Sequence, residues 1–291
     1  MTNATDVAPT AVTAIEHPGG GGPLRGLVGL TAAELRRWFP GRALALTGVG
    51  VAVAVTVFAV WSGGASADDP RLGTYLYPLF ALWIVVLVLV MVATAQGAMA
   101  NEVVEGTAAW VVAKPVGRPA FVLSKFLAAV PGVIIGAVVV PGVVVRELMY
   151  RAEAKGDTSF RADEVLQLLD PATGQLDEFT TVPSLGRYLG TLTLISAVLL
   201  LIVAVMILLG CVVRSRAVLF LIGLAVPIGL LVFSIVGPAE IVELTPAWAF
   251  DSLLDTIIDD PAPVRAPTLV TGAWTAGLLL LAMAWFSRKE L

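Results

Sequence analysis

Charged residues fall in clusters along this chain. Between the clusters lie six windows free of Asp, Glu, Lys and Arg, at 43–61, 72–100, 126–145, 188–213, 217–239 and 266–287. A charge at mid-bilayer costs about 2.5 to 3.5 kcal/mol on the insertion scale, so charge-free windows are where membrane helices are expected. Each has close to or more than the roughly 20 residues that a spanning helix needs. The pattern predicts an all-α polytopic membrane protein with six transmembrane helices. Pro131, Pro141 and Pro227 fall inside or near the ends of these windows. They are expected to kink their helices without breaking them, because neighbouring helices can satisfy the freed carbonyls.

The segments outside the windows have characters of their own. Residues 1–22 end in PGGGG and carry Asp6 and Glu16 with no basic start before an apolar core, which reads as a disordered tail and not as a signal peptide. Residues 23–39, PLRGLVGLTAAELRRWF, alternate apolar and basic positions at helical spacing and end in aromatics. They predict an interfacial helix leading into the first span, or an ordinary juxtamembrane anchor. Residues 146–187 form a long segment in which ADEVLQLLD suggests a short amphipathic helix; a substrate vestibule and a solvated cap both fit it. Within 240–265, Asp251, Asp255 and Asp259 are four apart on one helical face, with Leu254, Ile257 and Ile258 available for burial. An interfacial or re-entrant helix fits, and a solvated acidic face explains the aspartates without any cation.

Composition agrees with the window pattern. The chain is 58% hydrophobic and 14% charged over 291 residues, too apolar for an ordinary soluble domain. Its net charge of -4 leaves no basic stripe for a nucleic-acid partner. Lysines and arginines set the orientation. Arg25, Arg36, Arg37, Arg42, Lys114, Arg118, Lys125, Arg214, Arg216, Arg288 and Lys289 lie on the side of the termini, against seven bases on the other side, five of them in or beside the long loop. The positive-inside rule therefore predicts a multi-pass protein with both termini cytoplasmic.

Little in the sequence points to bond-making chemistry. The one histidine, His17, lies in the tail, so HExxH zinc sites and Ser-His-Asp arrangements have no imidazole. No Walker A loop occurs, so the chain is not expected to hydrolyse ATP alone. The charge-free windows lack the ionisable groups of proton-coupled carriers, intramembrane aspartyl proteases and voltage sensors. Thr94, Gln96, Thr191, Thr193 and Ser234 are polar residues within them, expected to stitch helices together. The lone Cys211, in an apolar run, reads as a small core residue. No metal and no cofactor is expected.

The stretch NEVVEGTAAWVVAKPVGRPAFVLSK, residues 101–125, stands apart because charges interrupt it. Asn101 offers a helix N-cap, Glu102 and Glu105 suit the first turn, Lys114 suits the last, and Pro115 stops the helix. Trp110 and the valines form an apolar stripe. A short helix of this kind could rest on lipid headgroups or dock a partner.

The order Glu102-x-x-x-Gly106-Thr107, then Pro115-Val116-x-Arg118, then Lys125 resembles the E-x-x-x-G-T, P-V-x-R, K signature of permease subunits of type-2 ATP-binding-cassette exporters. Glu105 and Lys114 fall within the same stretch. In that family the signature lies between the second and third of six spans, an amphipathic elbow helix precedes the first, and a broken helical segment lies outside between the fifth and sixth. Residues 23–291 can be laid out in that way. The KPV-x-R run and the FSRKEL tail look like the branch that includes copper-enzyme maturation permeases, whereas the long 146–187 loop departs from compact members.

The resemblance implies a permease domain over 23–291 of a cell-membrane ABC transporter. It would have no ATPase site of its own and would pair with a second permease, identical or homologous, and with separately encoded ATPase subunits. A coupling helix near 101–113 would seat in an ATPase groove. Glu102, Glu105, Gly106, Thr107, Trp110, Lys114, Pro115 and Arg118 would be its contact residues, with Trp110 as the anchor. A membrane anchor or assembly scaffold that does not transport is the alternative from another class. A membrane-embedded enzyme would need its active site in the acidic loops.

Overall fold

The structure is a computed structural model that describes residues 22–64, 85–96, 102, 116–154, 185–213, 215–258 and 264–288. The described residues are helical, with no strand among them. In chain order the helices are α1 (Leu27–Arg37), α2 (Ala43–Gly64) and α3 (Val85–Ala95); α4 (Arg118–Pro131), which continues through a π-helical stretch (Gly132–Val139) into α5 (Val140–Ala154); then α6 (Leu185–Val212), α7 (Arg216–Val236), α8 (Ala239–Val242), α9 (Ala247–Ile258) and α10 (Arg265–Arg288). Four apolar stretches, Arg118–Glu147, Tyr188–Val212, Arg216–Val236 and Arg265–Arg288, are long enough to cross a membrane, the make-up of a membrane protein. In the two remaining windows the described helices are α2 and the shorter α3.

Local sequence explains the joints. Between α1 and α2 the backbone of Phe39 is extended, at φ -101° and ψ 133°, because the ring of the following Pro40 disfavours helical geometry in the residue before it. The helical path therefore bends at Phe39. Pro131 removes a donor in α4, and the chain answers with the π-helical stretch that starts at the next residue. The path is altered but not severed, as expected for Pro131; helix also runs through Pro141 and Pro227. Ser215 caps α7, its hydroxyl accepting from the Val218 amide at the long limit of 3.5 Å.

The core gathers around α6, which packs against α10, α7, α9, α4 and the π stretch. Leu87, Met91 and Val92 of α3 join the same cluster, with Val198, Ile202 and Met206 of α6. α2 lies across the π stretch and α5. Their approach is close: a methyl on Gly136 would lie 2.9 Å from Thr47 Oγ1 and 3.1 Å from the Ala43 carbonyl. The indole of Trp38, 2% exposed, covers Gly132 in the same way. Cys211 is buried in this core, as its setting predicted.

Several boundaries differ from the window pattern. Helix α4 starts at Arg118, eight residues before its charge-free window, because Gly117 and Pro119 make a good helix start. The long segment expected from 146 begins as the last turns of α5, to Ala154. Its proposed amphipathic helix at 162–170 lies outside the described residues. The 240–265 segment folds as α8 and α9. Helix α9 turns Ala249, Phe250 and Leu253 inward and packs on α7, α8 having taken the chain round the corner. The Trp274 indole of α10 secures that corner by donating to the Leu244 carbonyl at 3.0 Å. The side chains of Leu254, Asp255, Ile257 and Ile258, and Asp259 entirely, lie outside the described residues.

Three of the polar residues expected to stitch helices together bond within their own helices. Thr94, Thr193 and Ser234 each donate to a carbonyl three or four residues back on their own helix, to Val90, Leu189 and Leu231. They satisfy themselves locally and do not bridge helices through these bonds.

Candidate functional site

Four charged side chains meet where α1 packs along α4. On α1, Leu30, Glu34, Leu35 and Trp38 recur at three- and four-residue spacing, so Glu34 is carried on the face whose leucines pack against the core. On α4, Phe121, Lys125, Ala128 and Ala129 share the buried face. The Lys125 ammonium donates to Glu34 Oε1 at 2.6 Å and to Glu102 Oε1. Arg37 donates to Glu102 Oε1 at 2.8 Å and reaches Glu34 Oε1 at 3.4 Å. Two acids and two bases balance in charge.

Exposure divides the cluster into an inner and an outer part. The Lys125 side chain is 2% exposed, Glu102 11% and Glu34 13%, whereas Arg37 is 68% exposed. The outer arginine contributes little in high dielectric. The inner lysine is different, because a buried charge is tolerated only when paired, and stripping one partner from such a pair costs about 3 to 5 kcal/mol. Aromatic packing supports it from below. The ammonium lies 5.2 Å from the centroid of the Phe121 ring, a cation–π distance. Phe121 in turn stacks on Phe286 of α10, with centroids 5.5 Å apart and planes 23° apart.

One helical turn before that ring, Arg118 donates to the Ser287 carbonyl at 3.0 Å. A cation at the last turn of a helix satisfies an orphan carbonyl and complements the dipole. The start of α4 and the end of α10 are thus tied at the same end of the bundle. The segment before α1 is tied there as well, since the Gly117 amide donates to the Arg25 carbonyl at 3.1 Å. Glycine is required at 117, where a Cβ would fall 1.9 Å from the Pro23 carbonyl oxygen. An open depression of about 510 Å³ lies alongside, bordered by Arg25, Val116, Arg118 and Ser287.

Of the residues singled out in the sequence, the structure brings Glu102 and Lys125 together and bonds Arg118, at the start of α4, to the end of α10. Asn101, Glu105, Gly106, Thr107, Trp110, Lys114 and Pro115 lie outside the described residues. Glu34 was not singled out, although a signal existed: it is the one carboxylate between residues 23 and 42. Among the described residues no group of three or more His, Cys, Asp or Glu could hold a metal ion. The arrangement positions and balances charge, and it carries no nucleophile paired with a base. No family model and no curated protein matches the chain.

Proposed function

We propose that this chain is the permease subunit of an ATP-driven ABC transporter in the cell membrane, with six spans, both termini cytoplasmic and α1 as its elbow helix. It works as a dimer with a second permease, identical or homologous, and with separately encoded ATPase subunits. The observation that carries this reading is the pairing of Glu102 with Lys125, the first and last charged positions of the exporter-like signature. Two residues 23 apart in sequence close the base of the stretch between them, which contains Trp110. A stretch tied at its base and bearing an apolar stripe is suited to docking. Ties between the start of α4 and the end of α10 support the layout too, since an even number of crossings would separate them.

In this reading Glu105, Gly106, Thr107, Trp110, Lys114 and Pro115 belong to the coupling helix and its exit. Glu102 and Arg118 hold the flanks to the bundle. ATP-driven closure of the ATPases would move the permease halves, and no residue of this chain need be catalytic.

The test is co-purification of ATP-binding-cassette ATPase subunits from native membranes with the tagged chain, normalised to its abundance in the membrane. Trp110→Ala and Glu105→Lys should leave the protein inserted. Each should weaken ATPase recovery by about tenfold or more, because loss of an anchor at a desolvated interface commonly costs about 2 kcal/mol. Full recovery with both variants would favour an anchor or scaffold whose helix rests on headgroups.

A further inference from the structure

We propose that the open depression between Arg25 and Arg118 holds the phosphate of an anionic phospholipid, drawn from the leaflet on the side where α4 begins and α10 ends. Such a site requires only that the chain lie in a bilayer, whatever its protein partners. Two guanidiniums border the depression, and among the described residues no carboxylate does. Helices α1 and α4 both start at its rim, after Gly26 and Gly117, and neither has an acid in its first turn or a capping side chain. The partial positive charge of a helix start is ordinarily answered by just such groups. Here an arginine, Arg118, opens α4 instead. Its bond to the Ser287 carbonyl engages a guanidinium that has five donors, and leaves the positive charge in place.

Backbone contacts hold the two arginines in place relative to each other. The Arg25 amide donates to the Gly22 carbonyl at 2.9 Å, and the Arg25 carbonyl accepts from the Gly117 amide, one residue before Arg118. Gly26 takes the left-handed conformation, at φ 81°, and a Cβ there would lie 3.2 Å from Val116 Cγ2. The segments that carry Arg25 and Arg118 are therefore already joined before any ligand arrives. The planar fork of arginine matches the oxygens of a phosphate better than a point charge would.

Depth in the membrane points to a lipid as the source of that phosphate. On α10, Leu281 and Trp285 are exposed, and Ser287 and Arg288 follow Trp285 within one turn. Apolar side chains exposed on a spanning helix face lipid, and tryptophan favours the level of the headgroups. Leu24 and Val28, on either side of Arg25, are exposed as well, Val28 by 83%. The depression thus lies where headgroups meet acyl chains, and its open side gives the chains a way out. A zwitterionic lipid offers the same phosphate but brings a cation of its own, which two arginines and two helix starts repel. A soluble phosphate would gain nothing from the apolar rim.

The experiment titrates the full chain, purified in detergent, with phosphatidylglycerol or phosphatidylcholine and counts bound lipids by native mass spectrometry. The ionic strength is set to screen charges farther apart than about 8 Å. One phosphatidylglycerol per chain should bind about tenfold tighter than phosphatidylcholine, and Arg25→Gln should remove most of that difference, the scale of a lost charge-assisted hydrogen bond. The tie to Gly117 uses the Arg25 backbone, so this variant keeps it. Arg118→Gln, on the opposite rim, should weaken binding by a similar factor. Arg36→Gln removes the same charge from an exposed position of α1 outside the depression and should change binding by less than about twofold. No preference for phosphatidylglycerol, unchanged binding in both rim variants, or an equal loss with Arg36→Gln would overturn the site. Inorganic phosphate in large excess should leave the lipid bound. Displacement by inorganic phosphate at the concentration of the lipid would mean a site for soluble anions and would overturn the lipid assignment.

Discussion

Helices α6 and α7 are both almost wholly aliphatic, yet 61% of the apolar stretch of α6 is buried by the rest of the protein against 22% of that of α7. Leu221, Ile228, Val232, Ile235 and Val236 of α7 are exposed, whereas α6 turns Leu194, Leu199, Met206 and Ile207 into the core. Leaving water and finding a neighbour are separate events for a membrane helix, because lipid tails are as apolar as leucine and burial against lipid rewards both helices alike. Helix contact then depends on fit. One place where α7 meets the core is Gly223, against which Met206 of α6 and Val92 of α3 pack.

The largest expected effect tests that division directly. Leu194→Ala, in the centre of the core, should lower stability by about 2 to 5 kcal/mol in reversible unfolding from mixed micelles. Ile235→Ala, at a 68% exposed position of α7, should change it by less than about 0.5 kcal/mol. Equal losses would mean that α7 is covered by something other than lipid. A smaller effect contrasts two glycines of one helix. A methyl on Gly223 would lie 2.4 Å from Met206 Sδ, whereas one on Gly229 would meet nothing within 4 Å. Gly223→Ala should therefore destabilise by about 1 to 3 kcal/mol in the same assay. Gly229→Ala should be neutral or stabilising by up to about 1 kcal/mol, as expected when glycine leaves a helix interior. The smallest concerns the corner beside α7. Trp274→Phe removes the bond to the Leu244 carbonyl and should cost about 1 kcal/mol, seen as faster amide exchange around Leu244–Trp248.

What the sequence revealed, and what it did not, divides along a similar line. Charge-free windows located the helices because the cost of a bare charge in lipid acts on each residue alone. The same rule misplaced the start of α4, since it removed Lys125 from a helix that holds it comfortably among partners. Seeing that comfort requires knowing that Glu34 is near, and no local pattern brings residues 34 and 125 together. The signature did single out Glu102, Arg118 and Lys125, but not that Glu102 and Lys125 face each other or that Arg118 meets the end of α10. Phe121 and Phe286 escaped notice for a similar reason, being unremarkable aromatics until stacked. The bend at Phe39, in contrast, is local chemistry and is written in the next residue.

The π-helical stretch Gly132–Val139 sits midway along the helical path that begins at Lys125's end of α4 and finishes in α5. A π turn spans one residue more per hydrogen bond than an α turn, so this stretch holds slack that a uniform α-helix lacks. Because an α-helix advances about 100° per residue, taking up or letting out a single residue there would rotate one half of the path against the other by about that angle. The stretch is therefore a place where the half that packs on α1 and the half that packs on α2 could be indexed separately while the rod between them stays hydrogen-bonded.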